Sequence, residues 1–211
     1  MSKKINKPPI FWQKAKKVLS AKDKKLSKII KSYPDEFLFT KSEPFFTLAR
    51  SIVGQQISVK AAQSVWDKLE IKVKKINPKI IITTHSSSLK SVGLSRQKVN
   101  YLKNLASAFI EKKIKVSTWD KMNDEEIIQD LIQIKGVGRW TAEMFLIFNL
   151  CRADIFPLDD IGMIRGLCKL YNIQYPTNRE SVIKIGEKWK PYRSVATWYL
   201  WRSLDPIPVE Y

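Results

Sequence analysis

Residues 134–144 read IKGVGRWTAEM, and the interpretation of the whole chain turns on this stretch. LIQI (131–134) closes an apolar helical pattern, KGVG (135–138) has the composition of a tight turn, and RWTAEMFLIFNL (139–150) begins a second helix. Gly136 and Gly138 carry no Cβ, so the turn can be sharp and its amides uncovered. The helix that starts near Arg139 directs its first N–H groups and its positive dipole end the same way. Together these features make an anion site suited to a phosphodiester. A grip on backbone phosphate carries no sequence information, which suits a protein that works anywhere along a nucleic acid. Two glycines at this spacing also suit an ordinary connector between helices, so the surroundings must decide.

The pattern on both sides is helical. FWQKAKKVLSAKDKKLSKIIKSYP (11–34) holds two short basic helices, and FFTLARSIVG (45–54) a mostly apolar one ending at Gly54. Ser58 is placed to cap a helix that carries Ala61, Ala62, Val65, Trp66 and Leu69 on one face. Val99, Leu102, Leu105 and Phe109 repeat that pattern after SRQK. Asn123 with Glu126, and Thr177 with Glu180, stand at capping-box spacing. KKINPKIIITT (74–84) is the one segment with strand composition, and it has no hairpin partner. The fold class expected is all-α, in many short helices. SYPDEFLFTKSEP (32–44) and ADIFPLDD (153–160) are the candidate boundaries.

Charge is the outlying property. The chain has 211 residues, with 38 Lys plus Arg against 20 Asp plus Glu, a formal net charge of +18. Such an excess is costly in self-repulsion unless a polyanion is the usual neighbour. Nucleic acid is the first candidate and an anionic membrane surface the second, although no long basic segment has a clean apolar face. Residues 1–43 alone carry twelve lysines and four acidic residues, a source of salt-sensitive affinity. Two cysteines, Cys151 and Cys168, exclude a disulfide framework, a four-cysteine iron–sulfur cluster and a cysteine-rich zinc site; both thiols are expected in a core. One histidine, His85, excludes a Ser–His–Asp triad and a multi-histidine metal centre, and is expected to be an inert loop residue. No apolar run reaches membrane-spanning length, and the N-terminus has no apolar signal core. The expectation is a cytoplasmic protein, nuclear if its source has a nucleus.

LIQIKGVGRWTAEMF (131–145) followed by DIFPLDDIGMIRG (154–166) resembles the helix–hairpin–helix DNA glycosylases, whose hairpin is followed by a Gly/Pro-rich loop and a catalytic aspartate. The likeness is to the DNA-3-methyladenine glycosylase II type, and extends over about residues 43 to 204. SIVGQQISVKAAQSVWDKL (51–69), VGLSRQKVNYLKNLA (92–106) and WKPYRSVATWYLW (189–201) agree with it. The resemblance implies two helical subdomains flanking a DNA-binding cleft. One would combine 1–43 with 156–211; the other, 44–155, would hold the hairpin at 134–139. It looks like the compact form of the family, without the additional N-terminal β-containing domain of larger bacterial members.

The resemblance also assigns roles. The family motif puts its catalytic aspartate at the second position of PLDD, Asp160, which leaves Asp159 as the expected helix cap. The intercalating residue that fills the gap left by a flipped nucleotide aligns with Gln56. Gln55 beside it would contact the orphaned base or the flipped nucleotide. Gly136, Val137, Gly138 and Arg139 would hold DNA phosphate. The extruded base needs a π-rich pocket. Trp140 and Met144, at i and i+4, share a helix face for it, and Trp201 aligns with an aromatic pocket residue of the family. Met144 stands where relatives often have an aromatic residue. Trp140 occupies the slot where bifunctional relatives such as endonuclease III hold a Schiff-base lysine, so water is the expected nucleophile and an intact abasic site the product. The implied activity is hydrolysis of the N-glycosidic bond of alkylated purines, 3-methyladenine and 7-methylguanine. The alternative is a non-catalytic hairpin protein that only binds DNA. No cofactor, no side-chain metal site, no membrane and no protein partner are expected, and the chain is expected to be a monomer on double-stranded DNA. Related hairpins often hold a monovalent cation on backbone carbonyls.

Overall fold

Short polar caps cut the chain into helices, and the computed structural model, which describes residues 7–39 and 43–205, shows where each cap acts. The helices are α1 (Trp12–Lys22), α2 (Lys24–Ser32), α3 (Pro44–Gly54), α4 (Val59–Val73), α5 (Pro78–Thr83) and α6 (Ser86–Ser91). They continue with α7 (Arg96–Ile110), α8 (Asp124–Ile132), α9 (Arg139–Phe148), α10 (Ile161–Tyr171), α11 (Arg179–Glu187) and α12 (Arg193–Arg202). A 3-10 turn covers Val116–Lys121. The described residues contain no strand. The strand-like IIIT run is α5, started by Asn77, whose side chain accepts from the Ile80 N–H, and by Pro78 in the first turn.

Ser58 caps α4 through the Ala61 N–H, and Asn123 with Glu126 forms a reciprocal capping box on α8. Two details differ from the sequence reading. The cap of α11 is Asn178, not Thr177: its side chain accepts from the Ser181 N–H, so the capping register lies one residue later. His85 is not an inert loop residue, since its ring nitrogen accepts from the Ser87 N–H at the start of α6. Of the thiols, Cys168 is buried and Cys151 half-buried.

The chain divides into two compact units, Met1–Thr40 with Cys151–Glu210, and Lys41–Leu150. In the internal unit α3 packs against α4, α7 and α9, while α7 also holds α5 and α6, and α8 packs on α9. Phe45, Leu48, Ala49, Ile52 and Val53 of α3 are buried, as is every residue of α9 from Thr141 to Phe148. Asp130 is a buried carboxylate in this unit, with its Oδ2 accepting from Trp119 Nε1 and from the Lys115 N–H at 2.8 Å each. Such pairing offsets the cost of burying it.

The terminal unit joins α1 and α2 to α10 and α12. Trp12 stands edge-on to Trp198 at 5.3 Å, and Asp23, between α1 and α2, accepts from Trp189 Nε1, from the Tyr171 hydroxyl and from the Lys25 and Leu26 amides. Burial would raise the Asp23 carboxyl, but these hydrogen bonds together hold it below the usual aspartate range. Residues 151–155, which the sequence reading left with the internal half, are tied to the terminal unit. The Ser194 hydroxyl donates to the Arg152 carbonyl and accepts from the Ile155 N–H, while Arg193 grips Asp154 with two nitrogens.

Candidate active site

The hairpin in the internal unit is built by backbone first. The Val137 N–H closes the turn on the Ile134 carbonyl at 2.9 Å, and the Val137 side chain is buried as its anchor. That amide is therefore spent inside the turn, and Val137 contributes to the hairpin as its anchor rather than as an uncovered donor. Gly136 has φ +106, and a Cβ there would lie 2.2 Å from Cγ of Tyr101 on α7. Glycine is obligatory on both counts. Gly138 has φ −93, and a Cβ there would meet nothing within 4 Å. Its smallness relieves no clash and instead leaves the N-terminus of α9 uncovered. The first helical bond of α9 runs from the Ala142 N–H to the Gly138 carbonyl, so the amides of Arg139 and its neighbours precede the ladder, as at any helix start.

The Arg139 guanidinium is engaged elsewhere. It makes a two-nitrogen contact with Glu125 at 2.8 and 3.0 Å and reaches buried Glu143 at 3.2 Å. Hydrogen bonds from Arg139 and Gln129 hold the Glu125 carboxyl at about 2. What Arg139 offers at the hairpin is its main chain. Two side chains fix the hairpin carbonyls: Asn104 Nδ2 donates to Lys135 O at 3.2 Å, and Gln55 Nε2 donates to Gly136 O at 3.0 Å. Beside the turn, Arg96, Gln97, Asn100, Tyr101, Lys103 and Lys135 line an open groove of about 720 Å³. Sequence reasoning overlooked this basic surface because its residues come from α7 and the hairpin, and only packing sets them side by side.

The GQQIS turn lies between α3 and α4. Gln55 ends α3, and besides Gly136 O its amide nitrogen donates to Thr141 Oγ1 at 3.0 Å. Gln56 is exposed and left-handed, with φ +58, a region that costs a non-glycine residue on the order of 1 kcal/mol. A positive φ also ends α4 at Lys74 and α10 at Asn172, so at Gln56 it marks the end of α3. Lys98 of α7 donates its Nζ to the Val53 carbonyl at 2.6 Å, which supports the end of α3; burial lowers its pKa. On α9, Trp140 is half-buried and Met144 is 1% exposed. Met144 is thus enclosed among the buried residues of α9, one turn along from Trp140.

In the terminal unit Asp160 stands at the head of α10. Its Oδ1 accepts from the Met163 N–H at 2.5 Å and from Trp201 Nε1 of α12 at 2.7 Å, and both side chains are buried, at 8% exposure. The helix cap is therefore Asp160 itself, not Asp159. Asp159 is exposed and pairs with Arg179 at 2.6 Å. Two glycines make this arrangement possible. A Cβ on Gly162 would press to 3.2 Å on both Asp160 Oδ1 and Trp201 Cδ1, and one on Gly166 would lie 2.9 Å from the Leu200 carbonyl. Close approach of α10 to α12 brings the indole to the carboxylate. Nothing in the spacing of residues 160 and 201 announces the contact. Among the described residues no three His, Cys, Asp or Glu side chains are grouped to hold a metal ion.

Residues 49–191 match the model of the HhH-GPD superfamily of base excision DNA repair proteins. DNA-3-methyladenine glycosylase 1 of Schizosaccharomyces pombe is 33% identical over 188 residues, 85% of this chain and 81% of that protein. Among solved structures, the S. pombe 3-methyladenine DNA glycosylase in complex with abasic DNA superposes with a TM-score of 0.80 at 33% identity, covering 90% of this chain and 96% of that one. A DNA-3-methyladenine glycosidase from Bacillus halodurans gives a TM-score of 0.74 at 31% identity, covering 90% and 88%.

Proposed function

This chain belongs to the HhH-GPD superfamily of base excision DNA repair proteins, and from that premise we infer that it is a monofunctional DNA-3-methyladenine glycosylase. Its partner is DNA, and its substrate class is DNA with alkylated purines, bound by a monomer. The reaction breaks the bond between C1′ and the purine nitrogen, and the bonding electrons leave with the base. A purine methylated at N3 or N7 carries a positive charge, becomes neutral as it departs, and so needs no strong acid. The sugar left behind is oxocarbenium-like, and the Asp160 carboxylate supplies the negative charge that stabilises it. The same carboxylate orients the attacking water and takes its proton, giving an intact abasic site and a free base.

The observation that best supports this reading is the double hold on Asp160 Oδ1 by the Met163 amide and Trp201 Nε1. A carboxylate fixed by two donors is pre-organised for charge stabilisation, with no reorganisation needed during the reaction. In the role proposed for the hairpin, Gly138 and Arg139 present main chain to phosphate, with Gly136 shaping the turn and buried Val137 anchoring it. Gln56 fills the vacated stack, and Trp140, Met144 and Trp201 each serve the extruded base, Met144 from its buried place one turn along from Trp140. Trp140 has no nucleophilic nitrogen that could form a Schiff base.

The test uses Asp160→Asn, since asparagine is as good a helix cap and leaves α10 capped. Wild type should release free 3-methyladenine and 7-methylguanine from methylated duplex, while the variant binds abasic-analogue DNA with base release collapsed. Borohydride should trap no covalent adduct. Near-normal release by Asp160→Asn would overturn the assignment, and absence of release by wild type across several lesions would favour a protein that only binds DNA.

A further inference from the structure

The amide nitrogen of Gln55 is committed within the protein. Its Nε2 donates to Gly136 O and to Thr141 Oγ1, both at 3.0 Å, so one side chain from the end of α3 reaches the hairpin turn and the first turn of α9 together. Thr141 is 1% exposed, and the Tyr101 ring occupies the place that a Cβ on Gly136 would take. The next residue along the chain is Gln56, exposed and held in the left-handed region. A residue that reads a base by donating to it needs its amide nitrogen free, and both donor contacts of this one go to the hairpin and the first turn of α9.

We propose that Gln55 is a positioning residue rather than a reader of the orphaned base: it couples the loop that inserts Gln56 into the helix stack to the hairpin that grips the phosphate. The two DNA-facing elements come from segments more than eighty residues apart, and this amide spans them directly. Phosphate binding at the hairpin then fixes the loop in the geometry that inserts Gln56, and insertion in turn steadies the hairpin. The coupling acts whichever base stands opposite the lesion, because no atom of that base takes part. Asn104, donating to Lys135 O from α7, steadies the neighbouring carbonyl but does not touch the loop. The proposal rests on the glycosylase reading for the existence of an inserted residue and a flipped nucleotide.

The experiment compares Gln55→Ala, Thr141→Val and the double variant with wild type. Affinity is measured on duplexes that carry an abasic analogue opposite each of the four bases. Insertion is followed by the fluorescence of 2-aminopurine placed beside the analogue. Gln55→Ala should lower affinity roughly tenfold, within the range usual for coupling between two binding elements. That fall should be the same for all four opposite bases, with the 2-aminopurine signal reduced although Gln56 is intact. Thr141→Val should reproduce part of the effect, and the double variant should be no worse than Gln55→Ala. Thermal unfolding of each variant establishes that the fold is kept, and the 2-aminopurine signal reports insertion, which a purely structural role would not move. A loss confined to one opposite base, unchanged affinity, or full additivity with Thr141→Val would overturn the proposal. Failure of the underlying reading looks different: wild type would release no methylated base from DNA in the first place.

Discussion

Replacing Trp201 by phenylalanine separates the ring from its hydrogen bond. The indole Nε1 lies 2.7 Å from Asp160 Oδ1, and the benzyl ring of phenylalanine keeps the aromatic face while losing the donor. A hydrogen bond to a charged group contributes about 1.5–3 kcal/mol. If that is what keeps the carboxylate in its reactive orientation, the chemical step slows by roughly 10- to 100-fold, at 1.36 kcal/mol per decade of rate. The Met163 amide still holds Oδ1, so the loss should stop well short of that of Asp160→Asn. The assay is single-turnover release of 7-methylguanine with enzyme in excess, paired with the affinity for an abasic-analogue duplex. The analogue has no base, so a pocket defect cannot register on it, and its affinity should stay within about threefold of wild type for a change of under 0.7 kcal/mol. Thermal unfolding accounts for packing lost around the smaller ring, about 1–3 kcal/mol. A release rate within threefold of wild type in a folded variant would show that the indole does not orient the carboxylate. An affinity loss on the abasic analogue equal to the rate loss would move the effect from chemistry to DNA binding.

Other consequences follow from the same geometry. Gly136→Ala puts a methyl group into the Tyr101 ring at a left-handed φ and should destabilise the fold by about 3 kcal/mol, read as a lower unfolding midpoint. Gly138→Ala meets no protein atom but replaces the N-cap of α9, so stability should fall by only about 1 kcal/mol while affinity for any duplex falls; unaltered affinity would mean that no phosphate approaches there. Asp23 has a folded-state pKa below its ordinary value, so its ionised form contributes stability in full above about pH 3.9, and that contribution is lost as pH falls further. Asp23→Asn should therefore be less stable than wild type at neutral pH, with the gap closing in urea titrations taken down to pH 2. A chain of net charge +18 should lose DNA affinity steeply with salt, measured as the slope of log affinity against log salt concentration.

Periodicity and caps carried most of the helical pattern, because they are local. Ser58, Asn123 and the glycines of KGVG act within a turn or two of themselves, and each could be read from a few neighbouring residues. The family resemblance rested on the same local motifs, and so did the singling out of Asp160, Gln55 and Gln56. Which of two adjacent aspartates caps α10 was a different matter. Asp159 and Asp160 are chemically identical, and the choice depends on which side chain turns inward beneath Trp201 and which turns out to Arg179. The composition of IIIT suggested a strand, yet Asn77 and Pro78 started a helix there.

The sequence by itself therefore determined an all-helical, strongly basic chain with a glycine hairpin and an aspartate at the head of a helix, since each of these is a property of a few consecutive residues. Tertiary structure alone decided what those residues touch. It set the indole of residue 201 against the carboxylate of 160 and bound the amide of Gln55 to a turn more than eighty residues away. It also spent the Arg139 guanidinium on Glu125 of the preceding helix. Contacts between distant segments depend on how helices pack, and packing depends on the close approaches that Gly136, Gly162 and Gly166 permit. No window of sequence contains both partners of such a contact, which is why only the fold could reveal it.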